Sequence, residues 1–473
     1  MTDISTEFPG REASRRDKPL ASRFYLAAWR WHFYAGLYVA PFLLMLAVTG
    51  LIMLYTMVFD GRDGEKITVE PGQAVAALSL QADAALAAVP GSELVEWIGP
   101  MDARGVSVFR VSQGDAQTMV AVDPYRTEVV ETWNRQAGWY DFANDIHGSL
   151  LIGDLGDRLI EIAAGFGIVL VITGLYMWLP RRGQDWRSVL VPAVFARGRE
   201  RWKSLHRSVG FYVAILLVAF LISGMSWTGI WGDRFVQAWS TFPAAKWDNV
   251  PLSDKTHAAM NHGATKDVPW ALEKTPMPES GSEVAIEARS AGMNPDVGAI
   301  AALGRDLGLE GRFRINYPAG DAGVWTLSQD SMSFDSTDPM VDRTVHVDRF
   351  TGNILADVGF ADYSLPGKAM AVGVALHEGT AGWWNVALNT VFCLSVIFLS
   401  VSGIVMWWMR RPSQAVRLAA PPRGAEMPLW KGAAIVMVLV SLMFPLVGLT
   451  LIVVLALDAL VIQRIGPLRR LVS

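Results

Sequence analysis

The stretch His32-Phe-Tyr-Ala-Gly36-Leu-Tyr-Val-Ala40 returns later as His206-Arg-Ser-Val-Gly210-Phe-Tyr-Val-Ala214, and this repetition decides how the whole chain is read. In both copies another glycine follows 18 residues after the histidine, at Gly50 and Gly224. A second pair of matches alternates with the first. His147-Gly precedes Thr173-Gly-Leu-Tyr-Met-Trp178 and Arg181-Arg182, while His377-Glu-Gly precedes Ser402-Gly-Ile-Val-Met-Trp407 and Arg410-Arg411. From histidine to first arginine is 34 residues in one copy and 33 in the other. Between these elements, Val122-Asp-Pro-Tyr-Arg-Thr-Glu-Val-Val130 is echoed by Val347-Asp-Arg-Phe-Thr-Gly-Asn-Ile-Leu355, each reading as strand, turn and strand. One unit therefore occurs twice.

Working outward, the repeated histidines flank apolar runs at 33–59, 159–179, 211–231 and 386–409. Each run is long enough for a helix to cross about 30 Å of hydrocarbon. The apolar fraction of 52% exceeds that of ordinary soluble chains. A charged fraction of 18% and a net charge of -4 give no footprint for nucleic acid. Lys and Arg number 22 in the 91 residues of segments 1–31, 180–207, 410–431 and 464–473, against 19 in the 249 residues of loops 60–158 and 233–382. By the positive-inside rule both termini are cytoplasmic and both long loops external, in a bacterial inner membrane. The first apolar stretch is too long for a cleavable signal and lacks a small-residue cleavage site. Cys393, the single cysteine, lies in an apolar run, so the external loops fold without disulfides. Many of the 19 tryptophans stand near span ends, as interfacial belts require.

The expected architecture is an α-helical membrane protein: a four-helix core from two tandem repeats, two external α+β domains and a C-terminal helical hairpin. Its parts are a cytoplasmic segment 1–31, a first span 32–59, an external domain 60–146, a juxtamembrane segment with the second span 147–179, and a cytoplasmic loop 180–205. The second copy follows with a third span 206–232, an external loop and domain 233–376, and a juxtamembrane segment with the fourth span 377–409. A loop 410–430, a hydrophobic hairpin 431–464 turning near Pro445 (or one kinked helix) and a tail 465–473 complete it. In the external domains the pattern predicts helices over 72–89 and 295–307 and strands near 106–111, 118–122, 312–317 and 323–329. Residues 184–203 read as a basic surface stretch and 242–281 as an extended loop. Asp458, costly in lipid, is expected to face helices or the interface.

A lone interfacial histidine is ordinarily a belt or packing residue. Here four of the seven histidines recur at matching repeat positions, each near the start of a span. The repeat places His32 with His206 on the cytoplasmic side and His147 with His377 on the external side. An imidazole pair without carboxylate or thiolate suits haem iron better than a closed zinc site, which takes four protein ligands. Iron bound by imidazole on both faces carries electrons and has no open position for oxygen. Gly36, Gly148, Gly210 and Gly379 lie near the histidines and admit a flat macrocycle or simple helix packing. Arg30, Lys203 and Arg207 are candidate propionate partners, and topology alone would also put them there. His257, Met260 and His262 form a second cluster of ligand types, suited to copper or to substrate contact. His346 is expected to pack.

These residues resemble the PepSY-associated transmembrane helix family, the iron-regulated membrane proteins that include bacterial ferrisiderophore reductases. The resemblance rests on Trp31-His32-x3-Gly36, His147-Gly, His206-Arg-x2-Gly210, Leu376-His377-x-Gly379, the two Val-Asp-x-[Tyr/Phe] turns and Val268-Pro-Trp-Ala-Leu-Glu. It covers nearly the whole chain. It departs at Arg126-Thr127, where such turns usually carry Thr-Gly. It implies two b-type haems held by the four histidines and electron delivery to a ferric siderophore or other ferric chelate at the external face.

With no G-x-G-x-x-G after a strand and no Walker sequence, the chain needs a separate electron donor, a quinol or a flavoprotein. The expected activity is a haem-dependent transmembrane ferric reductase. Two other classes compete: a siderophore or ion permease, and a membrane-anchored regulatory binding protein, because PepSY modules also occur in protease propeptides. The permease lacks the Gly- or Pro-broken paired helices many transporters use.

Overall fold

A computed structural model describes residues 20–180, 185–237, 250–261, 267–281, 295–411, 418, 420, 421, 431–462 and 464–466. The chain opens with a long helix α1 (Leu20–Asp60) and a short one, α2 (Leu78–Ala88). Four strands follow: β1 (Glu93–Ile98), β2 (Ser107–Gln113), β3 (Ala116–Val122) and β4 (Val129–Asn134). Next come α3 (Trp139–Ser149), α4 (Asp154–Trp178), a single turn α5 (Arg187–Leu190) and α6 (Gly198–Met225). The second copy contributes β5 (Leu252–Thr256), β6 (Pro276–Pro278), α7 (Val297–Asp306), β7 (Arg314–Asn316), β8 (Trp325–Gln329), β9 (Arg343–Val347) and β10 (Ile354–Gly359). It ends with α8 (Leu365–Glu378), α9 (Trp383–Arg410), α10 (Lys431–Met443) and α11 (Pro445–Leu457).

Among the described residues, Phe24–Asp60, Asp154–Trp178, Gly198–Met225, Trp383–Arg410 and Pro445–Ile462 are long and apolar enough to cross a membrane. The protein is a multi-pass membrane protein. Helices α1, α4, α6 and α9 form a four-membered ring in which α1 and α6 each pack against both α4 and α9. Small and branched residues close the centre, among them Ala47, Ala164, Ile168, Leu217, Leu221, Phe392 and Val396. Helices α10 and α11 turn sharply at Phe444 and Pro445, and Gly448 comes back against Ser441. Among the described residues each arm has 13 residues, about 20 Å. Of the two arms as described, the second, extended to Ile462, reaches span length. Val447 docks on α4 where a Cβ at Gly165 would collide with it.

The two α+β units are not separate bodies. Their strands join into one antiparallel sheet of order β10-β9-β8-β7-β1-β2-β3-β4. The seam is β1 against β7, with Trp97 opposite Ile315. Strand β1 carries little sequence signal, because Glu93 and Glu96 interrupt its apolar character. One face of the sheet, carrying Trp97, Phe109, Val120, Ile315, Leu327 and Val345, is covered by Ala85 of α2 and Ile300 of α7 in a shared core. Period-two alternation then turns Glu96, Arg110 and Arg314 to the opposite face. All three are buried there.

That charged face is paired. Arg110 meets Glu96 at 3.0 Å. Arg314 meets Asp63 at 3.1 Å and Asp335 at 3.1 Å. Arg135 bridges Asp63 at 3.1 Å and Asp267 at 2.7 Å. Burial would raise the Asp63 carboxyl, but Arg135, Arg314 and Arg62 together hold it well below the usual range. For Asp335 burial outweighs its two arginines and pushes it up to about 7. Asp63 stands three residues beyond the end of α1, so this network ties the sheet to the first span.

Where residues 242–281 are described they are packed, not extended. Strand β5 pairs with β6. Trp270 donates its indole N–H to the Ser226 carbonyl at 3.0 Å and packs with Met332, Met370 and Val374. The two turns named in the sequence share one geometry despite Arg126-Thr127. Asp123 accepts from the Tyr125 and Arg126 amides, as Asp348 does from Phe350 and Thr351. Thr127 takes φ +57° where Gly352 takes +70°.

Candidate functional site

The sheet and its loops form a head on one side of the helical ring. Spans α1 and α6 run toward the head, and α4 and α9 run away from it, since the sheet strands lie between them in the chain. His32 and His206 lie within α1 and α6, on the far side. His147 and His377 lie on the head side, ahead of the spans that follow them in the chain. They occupy the last turns of the separate short helices α3 and α8. Each of these helices ends in a left-handed residue, Leu150 at φ 54° and Gly379 at φ 87°. Asn389 of α9 donates to the carbonyls of Leu376 and His377, both at 2.9 Å, closing the end of α8. A Cβ at Gly156 would collide with the Ser149 carbonyl, which fixes α4 against the end of α3.

The expected pairs form. The rings of His32 and His206 lie 6.4 Å apart, centre to centre, with planes at 85°. Those of His147 and His377 lie 6.3 Å apart at 89°. From His32 to Thr49, which touches His147, is 17 residues along α1, about 25 Å. The same interval separates His206 from Ser223 on α6.

Each ring is seated the same way. His32 Nδ1 is 3.0 Å from Thr173 Oγ1, His147 Nδ1 is 2.9 Å from Thr49 Oγ1, His206 Nδ1 is 2.7 Å from Ser402 Oγ, and His377 Nδ1 is 2.8 Å from Ser223 Oγ. Every one of these hydroxyls spends its own hydrogen on a carbonyl of its helix: Thr173 on Val169 O, Thr49 on Met45 O, Ser402 on Leu399 O and Ser223 on Phe220 O. A hydroxyl that donates to its helix carbonyl accepts from the ring, so this arrangement favours the tautomer with the proton on Nδ1. Nε2 is left with its lone pair, the form in which imidazole binds a metal. The next residue in each case is glycine, at 174, 50, 403 and 224, and the ring edge lies over it. A hydroxyl followed by glycine therefore receives each histidine. The glycines at 50 and 224 are legible in the sequence as repeat-matched positions. The hydroxyls before them are less conspicuous, although Thr49, Thr173, Ser223 and Ser402 occupy repeat-matched positions and so carry a legible signal.

An imidazole nitrogen binds a first-row metal at about 2.0 Å and lies roughly 1.2 Å from its ring centre, so two imidazoles across one ion stand about 6.4 Å apart. Both pairs have this spacing. His257 and His346 give the contrast, because these two rings touch. Their Nε2 atoms are 2.8 Å apart and their centres 4.9 Å. Among the described residues no cluster of three or more His, Cys, Asp or Glu has metal-holding geometry. An ion held by either pair would take its remaining ligands from a bound group.

The head-side pair borders a cavity of about 400 Å³. Its walls are mostly apolar, with Leu46, Leu217, Phe220, Phe392, Cys393 and Val396 among them, and Arg62, Tyr140 and Glu378 are polar lining residues. Burial pushes the Tyr140 hydroxyl up to about 12, so it is neutral and able to donate. None of these three polar residues was singled out in the sequence, because each is isolated in its own segment.

The other expected site residues divide. Arg30 donates to the Pro421 carbonyl and to Tyr34 Oη, and Lys203 pairs with Glu200 at 3.6 Å on the surface. Arg207 follows His206 on α6 and is half-buried. His257 is fully buried, its Nδ1 on the Thr275 carbonyl at 2.7 Å and its Nε2 on His346. Both its nitrogens are thus engaged within the protein, which leaves no lone pair for the expected metal or substrate contact. Met260 packs beside it in the cluster of Val268 and Leu272. His262 lies outside the described residues. Glu161, inside α4, is a lone carboxylate within an apolar run. It is buried and accepts from the Ile230 amide at 3.1 Å, fixing the turn after α6.

Comparison with curated proteins finds no match. The family model for the PepSY-associated TM region matches residues 29–410, from just before His32 to the end of α9. This interval contains all four seated histidines and the whole eight-stranded sheet, and the chain belongs to the PepSY-associated TM region family.

Proposed function

We propose that this protein is a dihaem b-type electron carrier of the bacterial inner membrane that reduces a ferric siderophore or similar ferric chelate on the head side, which faces the periplasm. The observation that carries this reading is the matched spacing of the two histidine pairs, 6.4 and 6.3 Å between ring centres. His32 and His206 would hold one haem, His147 and His377 the other. When bound, haem supplies a one-electron centre with no open iron position.

The chain's own residues do the rest. The four hydroxyls hold the imidazoles in one tautomer, which presents Nε2 and sets ligand basicity. Apolar walls around the head-side pair keep water from it and lower the local dielectric. Glycines 174 and 224 keep side-chain bulk away from the ring edges. The concentration of Lys and Arg in the short loops supports termini in the cytoplasm and the head outside. Since the sequence offers no dinucleotide or Walker motif, electrons come from a separate quinol or flavoprotein. A ferric ion that gains an electron is held less tightly by oxygen ligands, and its release follows.

The test is the absorption spectrum of purified protein, oxidised and dithionite-reduced, with pyridine haemochrome quantitation. Two low-spin haems per chain are expected in the wild type, and about one after His147→Ala or His377→Ala. Protein without a Soret band, or haem content unchanged by both substitutions, would sink the proposal. Reduction of a ferric chelate by the reduced protein, followed by ferrous trapping, tests the substrate.

A further inference from the structure

Arg62 is a largely buried cation beside the head-side cavity, loosely paired with Asp267 and with its Nη2 lacking a hydrogen-bond acceptor. Its side chain is 10% exposed and lines the cavity that His147 and His377 also line. The guanidinium lies over the rings of Tyr140, at 4.9 Å, and Phe334, at 5.4 Å. Two aromatic contacts hold its plane. Its buried Nη2 has no hydrogen-bond partner, and the nearest carboxylate oxygen, on Asp267, is 3.8 Å away.

Arg110 and Arg314 nearby also carry buried nitrogens without a hydrogen-bond partner, but each neighbouring arginine has a carboxylate oxygen closer than Arg62 has. Arg110 has Glu96 at 3.0 Å, Arg135 has Asp267 at 2.7 Å, and Arg314 has Asp63 at 3.1 Å. Asp267 is already claimed by Arg135 through both of its oxygens, at 2.7 and 2.8 Å. A buried guanidinium nitrogen without an acceptor is costly, and an anion arriving with a ligand would satisfy it. Arg is the side chain best matched to a planar, bidentate carboxylate. Tyr140, on the same cavity wall, offers a neutral hydroxyl beside it.

From this we infer that Arg62 anchors a carboxylate of whatever molecule occupies the head-side cavity. The inference deepens the dihaem reading and rests on it for one of two sources: a propionate of the macrocycle, or a carboxylate of an anionic ferric chelate. Arg30, Lys203 and Arg207, the propionate partners read from the sequence, all belong to the far side.

The experiment uses full-length protein in detergent, stripped of haem, in a His206→Ala background so that only the head-side pair can bind. Wild-type Arg62, Arg62→Lys and Arg62→Gln are each titrated with haem b and with its dimethyl ester, whose propionates are neutral. If the carboxylate is a propionate, Arg62→Gln weakens haem binding at least about tenfold. Arg62→Lys then falls between, and the ester binds all three proteins alike.

If the carboxylate belongs to substrate, the haem titrations superpose. Ferric citrate then loses at least about tenfold in affinity on Arg62→Gln while a neutral ferric hydroxamate chelate does not. Thermal melts confirm that the variants are folded. Protein that takes up no haem but still separates citrate from hydroxamate through Arg62 defeats the dihaem reading and leaves this one standing. A folded Arg62→Gln protein with unchanged affinity for haem, citrate and hydroxamate overturns it.

Discussion

His147 Nδ1 sits 2.9 Å from Thr49 Oγ1, a hydroxyl 98 residues earlier in the chain and on a different helix. The arrangement recurs at His32 with Thr173, His206 with Ser402 and His377 with Ser223. In each copy of the repeat, the histidine of the first span is received by the second span, and the histidine of the short helix is received by the first. Metal-ligating histidines generally need such a partner to fix ring orientation and raise basicity.

Removing one hydroxyl without changing shape tests this directly. On the dihaem proposal, Thr173→Val should weaken haem binding at the His32–His206 pair by about 10- to 100-fold. It should also raise that haem's midpoint potential, because an imidazole that no longer donates from Nδ1 is a poorer ligand for ferric iron. A spectroelectrochemical titration resolving the two haems reads both quantities. A potential and an affinity equal to wild type would mean that the hydroxyl does not seat the ring.

The glycines give a graded comparison. A Cβ at Gly174 would lie 3.3 Å from His32 Cε1, tighter than ordinary contact, whereas one at Gly403 would lie 3.9 Å from His206 Cε1. Gly174→Ala should therefore displace its histidine and lower far-side haem occupancy, and Gly403→Ala should leave it unchanged. Equal occupancy in the two variants, measured as haem per chain, would contradict the packing argument.

The charged face of the sheet predicts a large cost for one atom's change. Asp63→Asn leaves Arg135 and Arg314 buried beside a neutral amide, and should destabilise the head by about 3–5 kcal/mol. The half-exposed pair of Arg343 and Asp357, at 2.6 Å, is the control. Asp357→Asn should cost less than Asp63→Asn, because this bidentate pair is partly solvated. Thermal unfolding of both variants in detergent, read by near-ultraviolet circular dichroism, checks the contrast.

The hydrogen-bonded pair His257 and His346 makes a pH prediction. Burial lowers His257 from 6.5 to about 4, and burial with the proximity of His257 lowers His346. The unfolded chain then binds more protons than the folded one in this window. Stability contributed by a neutral His257 is present above pH 6.5 and is lost as pH falls toward about 4, by about 3 kcal/mol in all. The difference between wild type and His257→Gln isolates it from the buried carboxylates, which titrate in both. That difference should shrink as pH falls from 6.5 to 4, and a pH-independent difference would count against neutral burial.

The turn at Thr127 marks how far a local motif can be trusted. The sequence lacks the usual glycine, yet the turn forms, because Asp123 fixes the backbone by accepting two amides and Arg126 closes on its other oxygen at 2.8 Å. Side-chain hydrogen bonding compensates for an unfavourable φ.

The sequence by itself determined the repeat, the spans, the α+β units and which histidines pair. Those features are written in hydropathy and in spacing along one helix, both of which are properties of neighbouring residues. Tertiary structure alone decided that the two units share one sheet through β1 and β7, since the pairing of Trp97 with Ile315 joins segments more than 200 residues apart. It also decided that His147 and His377 descend on helices of their own, that His257 is spent on His346, and that Arg62 stands beside the head-side cavity without a hydrogen-bonding anion at its Nη2. Each of these depends on distances between distant segments, which burial and charge pairing set only when the chain has folded.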